Sequence, residues 1–277
     1  MQDPKDRQKV PFDELKEGDP LGEYSYELTP ELVERHRAAT DQASYADDAY
    51  APVSILAADG VNLADQFWDI SASVHAGQKT EILEIPRMGD TLTVTGVVAQ
   101  KFVRKGRRYV VSRTRTCDSS GRVLANGETT GVIVYDEAED GSPAPTEALP
   151  PPLPVLRRLG PLVREMTFEK MVLYEPPGEQ NMHTDHAIAQ AVGLPAAIAT
   201  GTQFMAYLFD LLHNAYGFDA IPGTTLEARI RLPVFADERI EAAAEVIAEE
   251  GGFRDHRVRC TTASGDAIRG SARVPIR

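Results

Sequence analysis

The sequence predicts an α+β protein made of two tandem repeats, each an antiparallel sheet wrapped around a central apolar helix. Three observations carry this. Strand-length runs of alternating apolar and polar residues follow a helical segment twice, over 73–135 and again over 224–275. Turn text recurs in register: Pro86-Arg87-Met88-Gly89-Asp90 matches Pro233-Val234-Phe235-Ala236-Asp237 ahead of an alternating strand. Likewise Ser119-Ser120-Gly121 matches Ala263-Ser264-Gly265 between the last two strands. Finally, Phe204-Met205-Ala206-Tyr207-Leu208-Phe209 with Leu211-Leu212 is helical in length and apolar all round, which requires enclosure on every side.

Taken in order, residues 1–23 read as a polar tail and leading loop, and Thr29-Pro30-Glu31 opens a helix to about Thr40, with Thr as N-cap and Pro at the first helical position. A loop over 41–52 leads to Ser54–Asp69, helical in period but interrupted by Asp59, Gly60, Asn62 and Asp65. Strands are expected over 73–85, 91–101, 107–117 and 123–135, with Lys105-Gly106 and Ser119-Ser120-Gly121 as turns. From Glu137 to Leu162 prolines crowd the chain and predict a semi-rigid linker. The expected organisation is an N-terminal repeat over 1–136, the linker over 137–162 and a C-terminal repeat over 163–277, whose strands fall at 224–232, 238–249, 253–262 and 267–275.

Composition narrows the function. With 277 residues, 42% hydrophobic and 26% charged, the chain has ordinary globular make-up. A net charge of −13 argues against a nucleic-acid partner, which needs a concentrated positive face. Two cysteines, Cys117 and Cys260, form no disulfide framework or zinc spacing, so buried reduced thiols are expected and no metal. No signal-like or membrane-spanning run occurs, which predicts a cytoplasmic protein with no membrane partner.

The divergence between the repeats locates the candidate site. Thr40-Asp41-Gln42-Ala43 lines up with Gly178-Glu179-Gln180-Asn181, which sets Tyr45 opposite His183 and Asp47 opposite Asp185. The first repeat has Tyr where the second has His, and its central helix carries polar interruptions. Its site is expected to be degenerate, with the active one in the second repeat. There His183 reads as a catalytic imidazole or a loop histidine with a structural hydrogen bond, and Glu179 as a catalytic or a solvated acid. Asn181 is a candidate substrate contact, although bracing of the loop is the commoner habit of Asn. Asp185 reads as the N-cap of a short helix closed by Gly193. Gly201 opens the apolar helix, where free backbone N–H groups suit a developing oxyanion; close packing is the other reading. Thr202 and Gln203 beside it are candidate substrate-binding groups. His36, His186 and His213 read as rim or surface histidines on helices, and His75 on a first-repeat strand as a lesser candidate contact. The basic hairpin tip Arg104-Lys105-Gly106-Arg107-Arg108 and the pair Arg229 and Arg231 are the candidate phosphate clamps.

The text N-x-H-x-D, then A-x-x-x-G, then I-A-x-G ahead of an apolar helix resembles the MaoC-like (R)-specific enoyl-CoA hydratases and hydroxyacyl-thioester dehydratases, over roughly residues 10–277. The resemblance implies a double hotdog fold. It further implies a hydro-lyase that adds or removes water at an α,β-unsaturated acyl thioester, converting 2-enoyl-CoA to 3-hydroxyacyl-CoA. Coenzyme A would enter as part of the substrate with no separate cofactor, and the partner would be an acyl-CoA or acyl-carrier-protein thioester, with a homodimer as a further option. The family motif G-D-x-N-P-[apolar]-H-x-D matches Gly178 to Asp185, with two departures: Glu179 stands where the family has Asp, and the Pro is missing. Carried over, His183 and Glu179 would hold the reacting water and the Gly201 amide would polarise the thioester carbonyl. The degenerate first repeat would widen the acyl tunnel. A hotdog thioesterase and a non-catalytic acyl-CoA-binding protein are the alternatives.

Overall fold

A computed structural model describes residues 12–43, 49–67, 73–133 and 154–277. Among these residues ten strands form one antiparallel sheet. In chain order they are β1 (Pro20–Glu27), β2 (Ser73–Ile82), β3 (Thr91–Arg104), β4 (Arg107–Cys117), β5 (Val123–Ile133), β6 (Arg157–Met166), β7 (Thr225–Ile230), β8 (Glu238–Glu250), β9 (Phe253–Thr262) and β10 (Gly265–Pro275). Their spatial order is β1-β3-β4-β5-β2-β7-β10-β9-β8-β6, so the second half repeats the first in mirror order outward from the β2–β7 seam. The seam pairs Gly77 with Arg229 and Glu81 with Thr225. Among the described residues five α-helices accompany the sheet: α1 (Pro30–Thr40), α2 (Asp59–Phe67, continuing a 3-10 turn over Val53–Ala58), α3 (Phe168–Tyr174), α4 (His186–Ala191) and α5 (Gly201–Tyr216).

Local sequence explains the boundaries. The Thr29 side chain accepts from Leu32 N and Pro30 follows it, while Asp41 ends α1 in the left-handed region at φ 51°. In the second half Thr167 caps α3 in the same way, accepting from Lys170 N. The β3–β4 hairpin turns on Lys105 and Gly106, both at positive φ. Helix α5 is buried from Gly201 through Leu212. Its side chains Phe204, Met205, Tyr207 and Leu208 join a core that also takes Val53 and Leu56 from the first half and Ile240, Val258 and Ile268 from the second. At about 1.5–3 kcal/mol per large apolar side chain buried, this helix contributes strongly to the stability of the interior.

Two expectations are corrected. The leading loop and the linker each end in a strand: β1 begins at Pro20 and β6 at Arg157, so regular structure covers 157–162, and Pro161 lies within it. Both are the edge strands of the sheet. Edge strands bond on one side only and tolerate proline at a bulge. Each has a register shift at a positive-φ glycine, Gly22 (φ 89°) in β1 and Gly160 (φ 82°) in β6. Cys260 is buried as expected, whereas Cys117 is half-buried. Tyr45, Asp47 and the linker over 137–153 lie outside the described residues.

Candidate active site

The second half holds an ordered polar loop against the strand-like segment that feeds α5. Ile198 N donates to Met182 O at 3.2 Å, and Ala199 N to Val234 O at 2.8 Å, which anchors the segment to the turn after β7. The loop is then fixed by a relay of side chains. Glu175, at the C-cap of α3, accepts from Asn181 Nδ2 at 3.1 Å and from the Thr200 hydroxyl. Asn181 Oδ1 accepts from His183 N at 2.8 Å, and Thr184 Oγ1 donates to Glu179 O at 2.9 Å. Asp185 caps α4, accepting from Ala187 N and Ile188 N.

This relay sets the chemistry of His183. Its Nδ1 lies 2.8 Å from the Ile198 carbonyl oxygen. A carbonyl can only accept, so Nδ1 carries the proton and the neutral ring keeps its lone pair on Nε2. The half-buried imidazole is thereby held in the tautomer that can accept a proton.

At the start of α5, the cap residue Thr200 makes no side-chain cap bond. Its hydroxyl is engaged with Glu175, and the N–H groups of Gly201 and Thr202 have no acceptor among the described residues. An added Cβ at Gly201 would stand 2.3 Å from Ile230 Cδ1, the tip of that side chain, and 3.0 Å from His75 Nδ1, so one of them would have to shift. His75 comes from β2, so the first half reaches the start of the second-half helix. Its Nε2 lies 3.1 Å from both Gly77 O and Gln78 Oε1, which places the proton there. Among the described residues Nδ1 is left as a buried acceptor without a partner, and burial lowers the imidazole pKa to about 4, so the ring is neutral at pH 7.

The structure thus gathers His183, Asn181 and Gly201 around one segment, 198–201, and separates the others. Asn181 braces the loop, its amide and its carbonyl both engaged by protein. Thr202 and Gln203 are buried, and their side chains are engaged by protein. Thr202 accepts from the Tyr174 hydroxyl at 2.9 Å, and Gln203 donates to Ala39 O at 3.0 Å and Lys170 O at 2.9 Å, tying α5 to α1 and α3. Glu179 is exposed, and among the described residues its carboxylate has no hydrogen-bond or ionic partner. His186 packs on Phe168 with ring centroids 4.4 Å apart and accepts from Ala197 N. Sequence reading missed Glu175, which ties Thr200 to Asn181. It sits six residues before Asn181, and no local pattern marks it as facing back across the loop.

No protein-family model matches the chain, and no curated protein matches by sequence. Solved structures do match. A MaoC-like dehydratase superposes with TM-score 0.74 at 13% identity, covering 94% of this chain and 98% of its own. A Mycobacterium tuberculosis protein described as having a double hotdog fold matches with TM-score 0.67 at 12% identity over 96% and 97%. The peroxisomal multifunctional enzyme type 2 of Drosophila melanogaster gives 0.68 at 19%, over 92% of this chain and 48% of that larger one. The chain has the double hotdog fold.

Proposed function

We propose that the protein is a hydro-lyase acting on an α,β-unsaturated acyl thioester, interconverting 2-enoyl-CoA and 3-hydroxyacyl-CoA. The observation that supports it most is His183, whose Nδ1–H is tied to the Ile198 carbonyl so that Nε2 faces its task as a base. In this reading the thioester oxygen accepts from the free N–H groups at the start of α5, where the helix dipole is positive. Nε2 takes a proton from water as its oxygen bonds to C3; electron density moves through C2 to the thioester oxygen. The imidazolium returns the proton to C2, and the polarised carbonyl re-forms. One imidazole performs both transfers, so the exposed position of Glu179 is compatible with turnover. The similarity in fold to MaoC-like dehydratases agrees with this reaction class.

The test is the enoyl-thioester absorbance of a panel of 2-enoyl-CoAs with the native chain and His183→Ala. Loss of the band with the native chain and its persistence with the variant is expected. No change with any substrate sinks the reading. A second reading, an acyl-CoA-binding protein without turnover, is favoured by one observation, the exposed and unpartnered Glu179 carboxylate. Tight binding of CoA esters with no hydration and no thiol release would select it.

A further inference from the structure

We propose that a row of three arginines on the outer face of the sheet, Arg229 on β7, Arg269 on β10 and Arg259 on β9, binds the phosphate groups of coenzyme A. The assignment rests on the acyl-thioester reading above. Arg269 lies directly opposite both Arg229 and Arg259 in the strand register. All three are exposed, while Ala228, Val258, Cys260 and Ile268 beside them in sequence are buried, so the arginines share the solvent face. Adjacent strands lie about 4.8 Å apart, and like charges set directly opposite at that spacing repel.

Elsewhere on the sheet cationic side chains mostly face carboxylates, the exception being Arg104 opposite Arg107 at the tip of the β3–β4 hairpin. In the next row along the same strands Arg257 Nη2 meets Glu245 at 3.0 Å and Arg158 meets it at 3.4 Å; Arg113 meets Glu128 at 2.9 Å and Arg273 meets Asp255 at 3.8 Å. In the arginine row only Arg269 has a carboxylate, Asp266. Arg229, Arg259 and the following Arg231 have no ion pair or hydrogen bond through their side chains among the described residues. A chain with 42 acidic residues has left two of these three neighbouring guanidinium groups without a carboxylate among the described residues. Guanidinium forks bind phosphate oxygens in pairs, and several phosphates remove the repulsion within the row.

Two placements tie the row to the site. Gly77, opposite Arg229 on β2, and Thr130, opposite Gly77 on β5, leave the flank toward the first half without large side chains. Ile230, the last residue of β7, follows Arg229 and turns inward to the place a Cβ on Gly201 would occupy. The row therefore starts where β7 ends and the helix amides begin on the opposite face. A pantetheine arm rounding that strand end would set the thioester on one face and the phosphates on the other. At the rival β3–β4 hairpin the leading segment engages Arg108 and the nearby Lys101, while the opposed pair Arg104 and Arg107 lies at the tip, on strands that β5 separates from the β2–β7 seam. Arg108 lies over the Phe12 ring and 3.6 Å from Asp13, and Lys101 Nζ donates to Phe12 O at 2.8 Å.

The test compares the native chain with Arg229→Gln/Arg259→Gln/Arg269→Gln by calorimetric titration of CoA, dephospho-CoA and pantetheine, and by hydration kinetics with enoyl-CoA and an enoyl N-acetylcysteamine thioester. The native chain is expected to bind CoA at least about tenfold more tightly than pantetheine, an advantage that weakens with salt and vanishes in the variant. The variant's KM for enoyl-CoA should rise about tenfold or more at unchanged kcat, with KM for the truncated thioester unmoved. Equal CoA affinity in the two proteins overturns the assignment, as does CoA binding no tighter than pantetheine, or an equal loss in the control Arg113→Gln/Arg273→Gln on the same face. If the variant loses CoA binding but neither protein hydrates any thioester, the arginine row stands and the hydro-lyase reading falls.

Discussion

The two halves place different chemistry on the same frame. Seven residues beyond their N-cap threonines, α1 has His36 and α3 has Tyr174, with ring centroids 5.6 Å apart. Each reaches the start of its own half's central helix: His36 Nε2 to Ser54 Oγ at 2.7 Å, and the Tyr174 hydroxyl to Thr202 Oγ1 at 2.9 Å. One residue further on, Arg37 donates to Tyr50 O, whereas Glu175 accepts from Asn181 and Thr200. Asp41, at the position of Glu179, is held by Lys170 Nζ at 2.7 Å and by Arg164, both from the second half. Among the described residues Glu179 has no such partner. At these described positions the first half makes internal fastenings, and Asp59 adds another. That carboxylate is buried in α2 and accepts from Tyr24, Tyr26 and Thr116. The second half keeps a free imidazole nitrogen and free helix amides.

The sharpest way to break this comparison is at His183. Its replacement by Ala should lower kcat roughly 10²- to 10⁴-fold with the fold intact, while Ser54→Ala in the first half should cost stability and leave kcat within about threefold. Steady-state kinetics with thermal melts on both variants check the asymmetry.

Next in size is a pH effect confined to the first half. Burial raises the Asp59 pKa to about 6 from 3.8. The folded state therefore holds the proton more tightly than the unfolded chain. The resulting stabilisation is complete below about pH 4 and lost as pH rises through about 6, a change of about 3 kcal/mol. Urea unfolding at pH 4.5 and 8 should show that component in the native chain and not in Asp59→Asn; equal slopes in the two would refute it.

Gly201→Ala should destabilise by about 1–3 kcal/mol through the Ile230 contact, and adding Ile230→Val should recover most of it. If the α5 amides polarise the thioester, kcat stays depressed in the double variant although its melting temperature returns. The smallest expected effect is at Glu179: Glu179→Gln should change kcat less than about threefold, because the exposed carboxylate meets no other side chain. A loss as large as that of His183→Ala would restore Glu179 as a partner in the proton transfers.

Much was legible in the residues alone. Alternation with period two gave eight of the ten strands, recurring turn text gave the duplication, and the all-round apolar run gave the buried α5. These signals are local and depend on burial, which writes itself into composition. Strands β1 and β6 escaped because an edge strand is exposed along most of its length and alternates weakly. His183 and Gly201 were singled out by sequence, and their surroundings were not. That Glu175 reaches back to Asn181, that Gln203 points into the interior and that His75 crosses from the other half follow from how the loop, α5 and the β2–β7 seam fold against each other. The same holds for the arginines: Arg229, Arg259 and Arg269 are far apart along the chain, and only strand register sets them side by side. Periodicity determined which residues are inside; tertiary contact decided which polar groups were bound to protein and which were left free to act.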